Sequence, residues 1–275
     1  MTTRTRIDDF RSRFGLHCTP FTRELAVNQR MRLQLLDEAL EALAGVIDQR
    51  MSAAVIAPAG TGKTSLLRAL VEERLPEARY RVHYVKVADL SKRDMCAEIA
   101  FAAGAAPAGS FPSLVRKLQE RFRAMSDTDG LRPVLILDDA HDLRVHVLSL
   151  LRILTNFDMD SRLVLSVVLA GQPPLARILR MDALEDVARR IAHYVSLRPL
   201  SRTETMDYVR HRSTVAGATS TPFDDKALEA IYEIGRGNLR ATDHLALKTL
   251  EIAHGQDADV ADHTHVVAAR KLLWP

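Results

Sequence analysis

The stretch Ala57-Pro58-Ala59-Gly60-Thr61-Gly62-Lys63-Thr64 constrains this chain more than any other. It follows a short apolar run, Ala53 to Ala57, and opens a helical pattern carried by Leu66, Leu67, Leu70 and Val71. Glycines between a strand and a helix let backbone N–H groups turn inward around phosphate oxygens, and the helix N-terminus adds positive potential there. The spacing sends Lys63 to the β and γ phosphates of ATP and the Thr64 hydroxyl to Mg²⁺. Ala59, Gly60, Thr61, Gly62 and Ser65 complete the candidate nucleotide-binding loop. Ala57 stands where the usual pattern has its first glycine, a position leading into the turn where a methyl group fits. A glycine-rich turn that binds nothing is the alternative, and GTGKT after a buried strand argues against it.

A second feature answers the first. Val134 to Leu143 reads VLILDDAHDL, an apolar run ending in two adjacent carboxylates. Asp138, closing the strand, is expected to hold Mg²⁺ through its water shell. Asp139 is expected to face the γ-phosphate and polarise the attacking water, or to cap the helix that follows, and one residue can do both. Most ATPases built this way carry glutamate there. Aspartate is one methylene shorter, so its carboxylate retreats by roughly 1.5 Å unless the backbone advances, and a misplacement of about 1 Å can cost on the order of a hundredfold in rate.

Strands at 53–57, 80–87, 134–137 and 163–169 alternate with helical patterns, which predicts an α/β fold with a parallel sheet covered on both faces. After about Leu200 only helical periodicity remains, over 202–215, 224–234, 238–254 and 262–272. The expected organisation is an irregular N-terminal arm at 1–27, a nucleotide-binding α/β domain at 28–200 and a small all-helical subdomain at 201–275. Cys18 and Cys96 are too few for a disulfide framework and read as buried thiols in a reducing cytoplasm. No apolar run approaches 18 residues, so no membrane span is expected. Aromatics make up 5% of the chain, too sparse for a surface that stacks single-stranded bases. The net charge of +3 permits a polyanion partner without demanding one.

With these residues in place the chain resembles the AAA+ ATPases, and within them the ExeA-like group, which includes helper ATPases of transposition (TniB, TnsC and MuB types). The resemblance runs from FGLHCTPF to about Leu272. VVLAGQPPL resembles the sensor-1 strand, which implies that Gln172 lies near the γ-phosphate; within a Gly-Gln-Pro-Pro turn it can also serve only its own backbone. DVARRIAHYVSLRPLS resembles the segment carrying an arginine finger. That implies that Arg190, with Arg189 beside it, reaches a neighbour's nucleotide; a solvated helix end is the other reading. GRGNLRATDHLALKTLEIA resembles the lid helix, with Arg240 in the position of its arginine and Arg236 as the alternative. His141 and His146 lack partners at ligand spacing and read as polar helix residues, and His263-Thr264-His265 as a loop or helix start.

A finger acting in trans makes assembly and ATP binding one event. The resemblance then implies a homo-oligomer, ring or helical filament, and double-stranded DNA to assemble on. Lys92 and Arg93, following the second strand, are the candidate DNA contacts, with Ser110, Arg116 and Lys117 after them; each can also be a solvated charged turn. Repetition of even two cations per subunit makes an assembly strongly phosphate-attracting. The preferred expectation is a transposition helper that delivers target DNA to a transposase and hydrolyses ATP slowly. An ExeA-type secretion ATPase and a signalling switch ATPase are the alternatives.

Overall fold

A computed structural model describes residues 6–274. In chain order the elements begin α1 (Arg6–Arg13), α2 (Gln34–Asp48), β1 (Ser52–Ile56), α3 (Lys63–Arg74), β2 (Tyr80–Lys86), α4 (Lys92–Ala102) and α5 (Phe111–Asp127). Then come β3 (Arg132–Asp138), α6 (Val145–Leu148), α7 (Leu150–Leu154), β4 (Ser166–Gly171), α8 (Pro173–Leu179), α9 (Glu185–Ala188) and β5 (Ile191–Ser196). The last helices are α10 (Arg202–Val215), α11 (Asp225–Gly235), α12 (Leu239–Gly255) and α13 (His263–Leu273). The chain divides into two compact units. One holds Gln34–Ala59 and Lys63–Leu197; the other holds the residues up to Leu33, Gly60–Gly62 and those from Arg198 onward.

The first unit is built on one five-stranded sheet in the order β2-β3-β4-β1-β5, and every pairing is parallel. β1, β3 and β4 are buried along nearly their whole length, as strands covered on both faces must be, and their sequences (SAAVI, RPVLILD, SVVLAG) are near-continuous apolar runs. β2 and β5 are the edges and expose several of their side chains. The helices covering the sheet supply Leu114, Leu118 and Phe122 from α5 and Met95 and Ile99 from α4, all buried. Against the sequence expectation, β4 starts at Ser166 rather than Leu163, which is half-exposed and follows a bridge between Phe157 and Arg162. β5 is a strand that the sequence reading did not assign.

The second unit is helical. Side chains cap the N-termini of all four of its C-terminal helices: Ser201, Asp224, Asn238 and Asp262 each accept a backbone N–H from the first turn. The segment expected to be a separate, irregular arm belongs to this unit and contains α1; its first five residues lie outside the described ones. Phe10, Phe14, Leu16 and Phe21 are buried in the same core as Val209, Ile231, Leu245 and Val266, which is why the arm is ordered. Cys96 is buried as expected, and burial pushes its thiol up to about 12. Cys18 corrects the expectation: it is exposed, because the backbone N–H groups of His17 and Cys18 turn to Ala216 O while Leu16 and Phe21 take the core positions.

Beneath the phenylalanines lies a buried polar group. Arg212 donates to Tyr208 Oη at 2.7 Å, to Asp243 Oδ1 at 3.2 Å and to the carbonyl of Thr22 at 2.7 Å. Its guanidinium also lies over the rings of Phe21 and Tyr208. Burial raises the Asp243 carboxyl to about 6, outweighing the arginine and the tyrosine hydroxyl that hold it down. Arg212 thereby ties the segment before α2 to α10 and α12.

Candidate functional site

The strand order sets β4 between β1 and β3, so three strand ends meet at the carboxyl edge of the sheet. The phosphate-type loop leaves β1 there, and Ala57 N–H donates to Gly171 O at the end of β4 at 2.9 Å. Gly60 and Gly62 take φ of 76° and 96°, the left-handed region that favours glycine. Gly60 is required twice over, because a Cβ there would meet the Asn238 amide at 2.3 Å. Its carbonyl accepts the backbone N–H of Arg240 at 3.2 Å.

Lys63, the first residue of α3, has a side chain only 10% exposed, with Nζ 3.5 Å from Asp138 Oδ1 and 3.3 Å from Asp139 Oδ1. Thr64 Oγ1 donates to Asp138 Oδ2 at 3.0 Å, and Tyr84 Oη donates to the same oxygen at 3.1 Å. Asp139 N–H donates to Asp138 Oδ1 at 2.9 Å. Three hydrogen bonds and an ammonium thus converge on one carboxylate that is 3% exposed, which fixes its orientation. The Tyr84 phenol is pushed up to about 12 by burial and then by the Asp138 charge, so it remains a donor. Oxygen donors suit Mg²⁺, whose octahedral shell at about 2.1 Å sets adjacent ligands roughly 3 Å apart. The Thr64 hydroxyl, its proton given to Asp138 Oδ2 at 3.0 Å, keeps a lone pair for such a cation and leaves Asp138 beside it to hold the cation's waters, so the pair fits the divalent ion that accompanies a nucleotide. Among the described residues no cluster of three or more His, Cys, Asp or Glu offers a different metal site.

Asp139 adopts φ 60°, ψ 31°, a left-handed conformation. It starts a short 3₁₀ turn, Ala140–Asp142, without capping it by its side chain, so the capping reading is not supported. Aspartate tolerates this region better than glutamate. The backbone, and not only side-chain length, therefore sets where the carboxylate lies. Asp139→Glu is expected to lower turnover by between about fivefold and a hundredfold, through strain and displacement. Steady-state kinetics at saturating ATP check this, and a rise in kcat would instead show that reach is limiting.

Gln172, the N-cap of α8, is in hydrogen-bond contact with His141 Nε2. His141 Nδ1 is buried without a partner. His141 thus joins the Asp139 turn to the end of β4, where a Cβ on Gly171 would come within 3.2 Å of its backbone nitrogen. His141, expected as a polar helix residue, is instead a nearly enclosed member of the 3₁₀ turn, and Tyr84 carries no signal of its role in the sequence. Alternation in β2 gives no hint that Tyr84 lies beside Asp138; only the β2–β3 register, pairing Lys86 with Asp138, brings it there.

Ser65 is exposed in the first turn of α3, and Thr61 is buried. Arg240 is exposed in the first turn of α12. Arg189 is exposed and pairs with Glu185 at 2.5 Å. Arg190, expected to point outward, is only 23% exposed and is held by Asp160. Lys92 and Arg93 begin α4 after the Ser91 cap. Arg93 donates to Gly109 O at 3.1 Å and Lys117 to Ala108 O at 2.9 Å, which gathers cations from α4 and α5 around one turn. His263 and His265 open α13, where His265 completes a capping box with Asp262.

A phosphate loop after β1, paired aspartates after β3 and a polar residue after β4 stand on a sheet ordered β2-β3-β4-β1-β5, an α/β fold of AAA+ type. Residues 46–179 match the family described as AAA domain. By sequence the chain is similar to General secretion pathway protein A of Aeromonas hydrophila, 32% identical over 230 residues, 82% of this chain and 41% of that protein. It spans less than half of that relative's length. By fold it is similar to Cdc6p of Pyrobaculum aerophilum, with a TM-score of 0.74 at 19% identity, covering 91% of this chain and 69% of that one. The Aeropyrum pernix ORC1 protein in complex with DNA gives a TM-score of 0.69 at 17% identity, covering 89% of this chain and 67% of that one. At these identities the structural likeness speaks for the fold. No helix among the described residues is long and apolar enough to cross a membrane.

Proposed function

We propose that this chain is an AAA+ ATPase that binds ATP with Mg²⁺, assembles with copies of itself as a ring or helical filament on double-stranded DNA, and acts as a transposition helper delivering target DNA to a transposase. Bound ATP·Mg²⁺ supplies an activated phosphoanhydride and a cation that offsets its charge. Lys63 neutralises phosphate charge, and Thr64 and Asp138 hold the cation. Asp139 orients water and accepts its proton, and Gln172, positioned by His141, contacts the terminal phosphate. Arg190 serves the nucleotide of a neighbouring copy, and the family resemblance assigns Arg240 to the nucleotide as well.

The observation that carries the DNA reading is the cation cluster around the 108–109 turn. Lys92 and Arg93 occupy the first turn of a helix, where the dipole disfavours positive side chains. The same N-terminus attracts phosphate, so cations kept there suit a polyanion contact. The test is binding of a short duplex with ATP, with ADP and without nucleotide, across a salt series. Binding should require ATP, and Lys92→Ala with Arg93→Ala should weaken it and reduce the salt slope by about one per cation removed. Retained affinity in the double variant moves the DNA surface elsewhere. Absence of duplex binding with ATP removes the transposition reading. The similarity to General secretion pathway protein A favours a second reading, a secretion-associated ATPase, which that outcome would leave standing.

A further inference from the structure

Arg190 lies just ahead of β5, and its Nη1 and Nη2 donate to Asp160 Oδ1 and Oδ2 at 2.6 and 2.7 Å. Asp160 comes from an unusual turn. Asp158, Met159 and Asp160 take φ of 50°, 57° and 67°, three left-handed non-glycine residues in succession. The turn is held by its surroundings: Asn156 Oδ1 accepts Asp160 N–H at 3.1 Å, Ser161 Oγ donates to Asp158 O at 2.6 Å, and Arg123 pairs with the Asp158 carboxylate at 3.0 Å. Met159 at its tip is 97% exposed, so burial of an apolar side chain does not account for the conformation. Strain that the surroundings over-determine points to function. What this turn achieves is a carboxylate placed squarely on the Arg190 fork.

We infer that Asp160 is the in-chain partner from which Arg190 must be released before it can reach a nucleotide held by a second copy of this chain. The inference rests on the role proposed above for Arg190. A guanidinium fork matches a carboxylate and a phosphate alike, so the two compete for the same donors. Asp160 is open to solvent, and screening keeps such a pair weak enough to exchange. A phosphate carrying more charge in a closed interface displaces it. Until then the pair raises the protein concentration that assembly needs. Asp160 is a positioning residue: it acts through Arg190.

Asp160→Asn removes the charge while keeping a side chain that tolerates left-handed backbone. Asp160→Gly, whose backbone reaches that region freely, is the second variant. Sedimentation against protein concentration, with ATP and with ADP, is measured alongside turnover and thermal unfolding. Both variants should assemble with ATP at up to about fivefold lower concentration than the parent chain. In an Arg190→Ala background, which does not assemble, Asp160→Asn should restore no assembly. An unchanged threshold in both variants, while Arg190→Ala still prevents assembly, overturns the inference and leaves the role of Arg190 intact. Assembly regained through Asp160→Asn without Arg190 also overturns it. If Arg190→Ala leaves assembly and turnover unchanged, the proposed role of Arg190 fails, and the inference with it.

Discussion

Lys63→Ala is expected to weaken ATP binding by at least about thirtyfold, because truncating one partner of a desolvated, charge-assisted contact costs about 2–5 kcal/mol. The side chain is nearly enclosed and lies between two carboxylates, so its loss also leaves Asp138 and Asp139 without their cation. Two effects then act in one direction: phosphate loses its counter-charge, and paired aspartates repel it. Fluorescent-nucleotide titration reads the loss, with far-UV circular dichroism to confirm the fold. ATP-dependent assembly should disappear along with binding. Tight nucleotide binding by the variant would place the phosphates elsewhere.

Arg212→Ala is expected to destabilise the helical unit by about 3–5 kcal/mol, the range seen when one partner of a buried ion pair is removed. Arg212 satisfies Tyr208, Asp243 and the Thr22 carbonyl together, so alanine leaves three polar groups short of a partner. It also removes the cover over Phe21. Denaturant unfolding followed by circular dichroism measures the change. Arg212→Met with Asp243→Leu should recover part of it, since an apolar pair carries no unmatched charge. A loss below about 1 kcal/mol would mean that water takes over the contacts of Arg212 readily.

The central strands and the phosphate loop were legible because burial on both faces leaves an apolar run and the turn leaves glycines. The four C-terminal helices were legible too, since Ser201, Asp224, Asn238 and Asp262 announce their starts. β5 was not: HYVS keeps only part of its length buried and so lacks the apolar run of a central strand. Phe10 and Phe14 stand one helical turn apart, too short a pattern to announce α1, and the core they share with Leu16 and Phe21 appears only when α10 to α13 are assembled. In the candidate site, Lys63, Thr64 and Asp138 follow from local sequence. Tyr84, the His141–Gln172 contact and the Asp160–Arg190 pair join residues 30 or more positions apart, and pairing of that range leaves no periodic trace. The left-handed pose of Asp139 was equally hidden, although it bears directly on the missing methylene.

The central place of β1 has a further consequence for how the chain comes to be folded. Ala53 pairs with Val168 on one side and His193 on the other, partners 115 and 140 residues away. The strand that launches the phosphate loop is made early yet enclosed late, and loops of that length must close before either pairing rewards them. During synthesis its apolar flanks wait for most of the α/β unit to emerge, which leaves an unpaired edge open to misassociation. Nucleotide-binding competence is therefore gained near the end of folding, when β4 and β5 close on either side of β1.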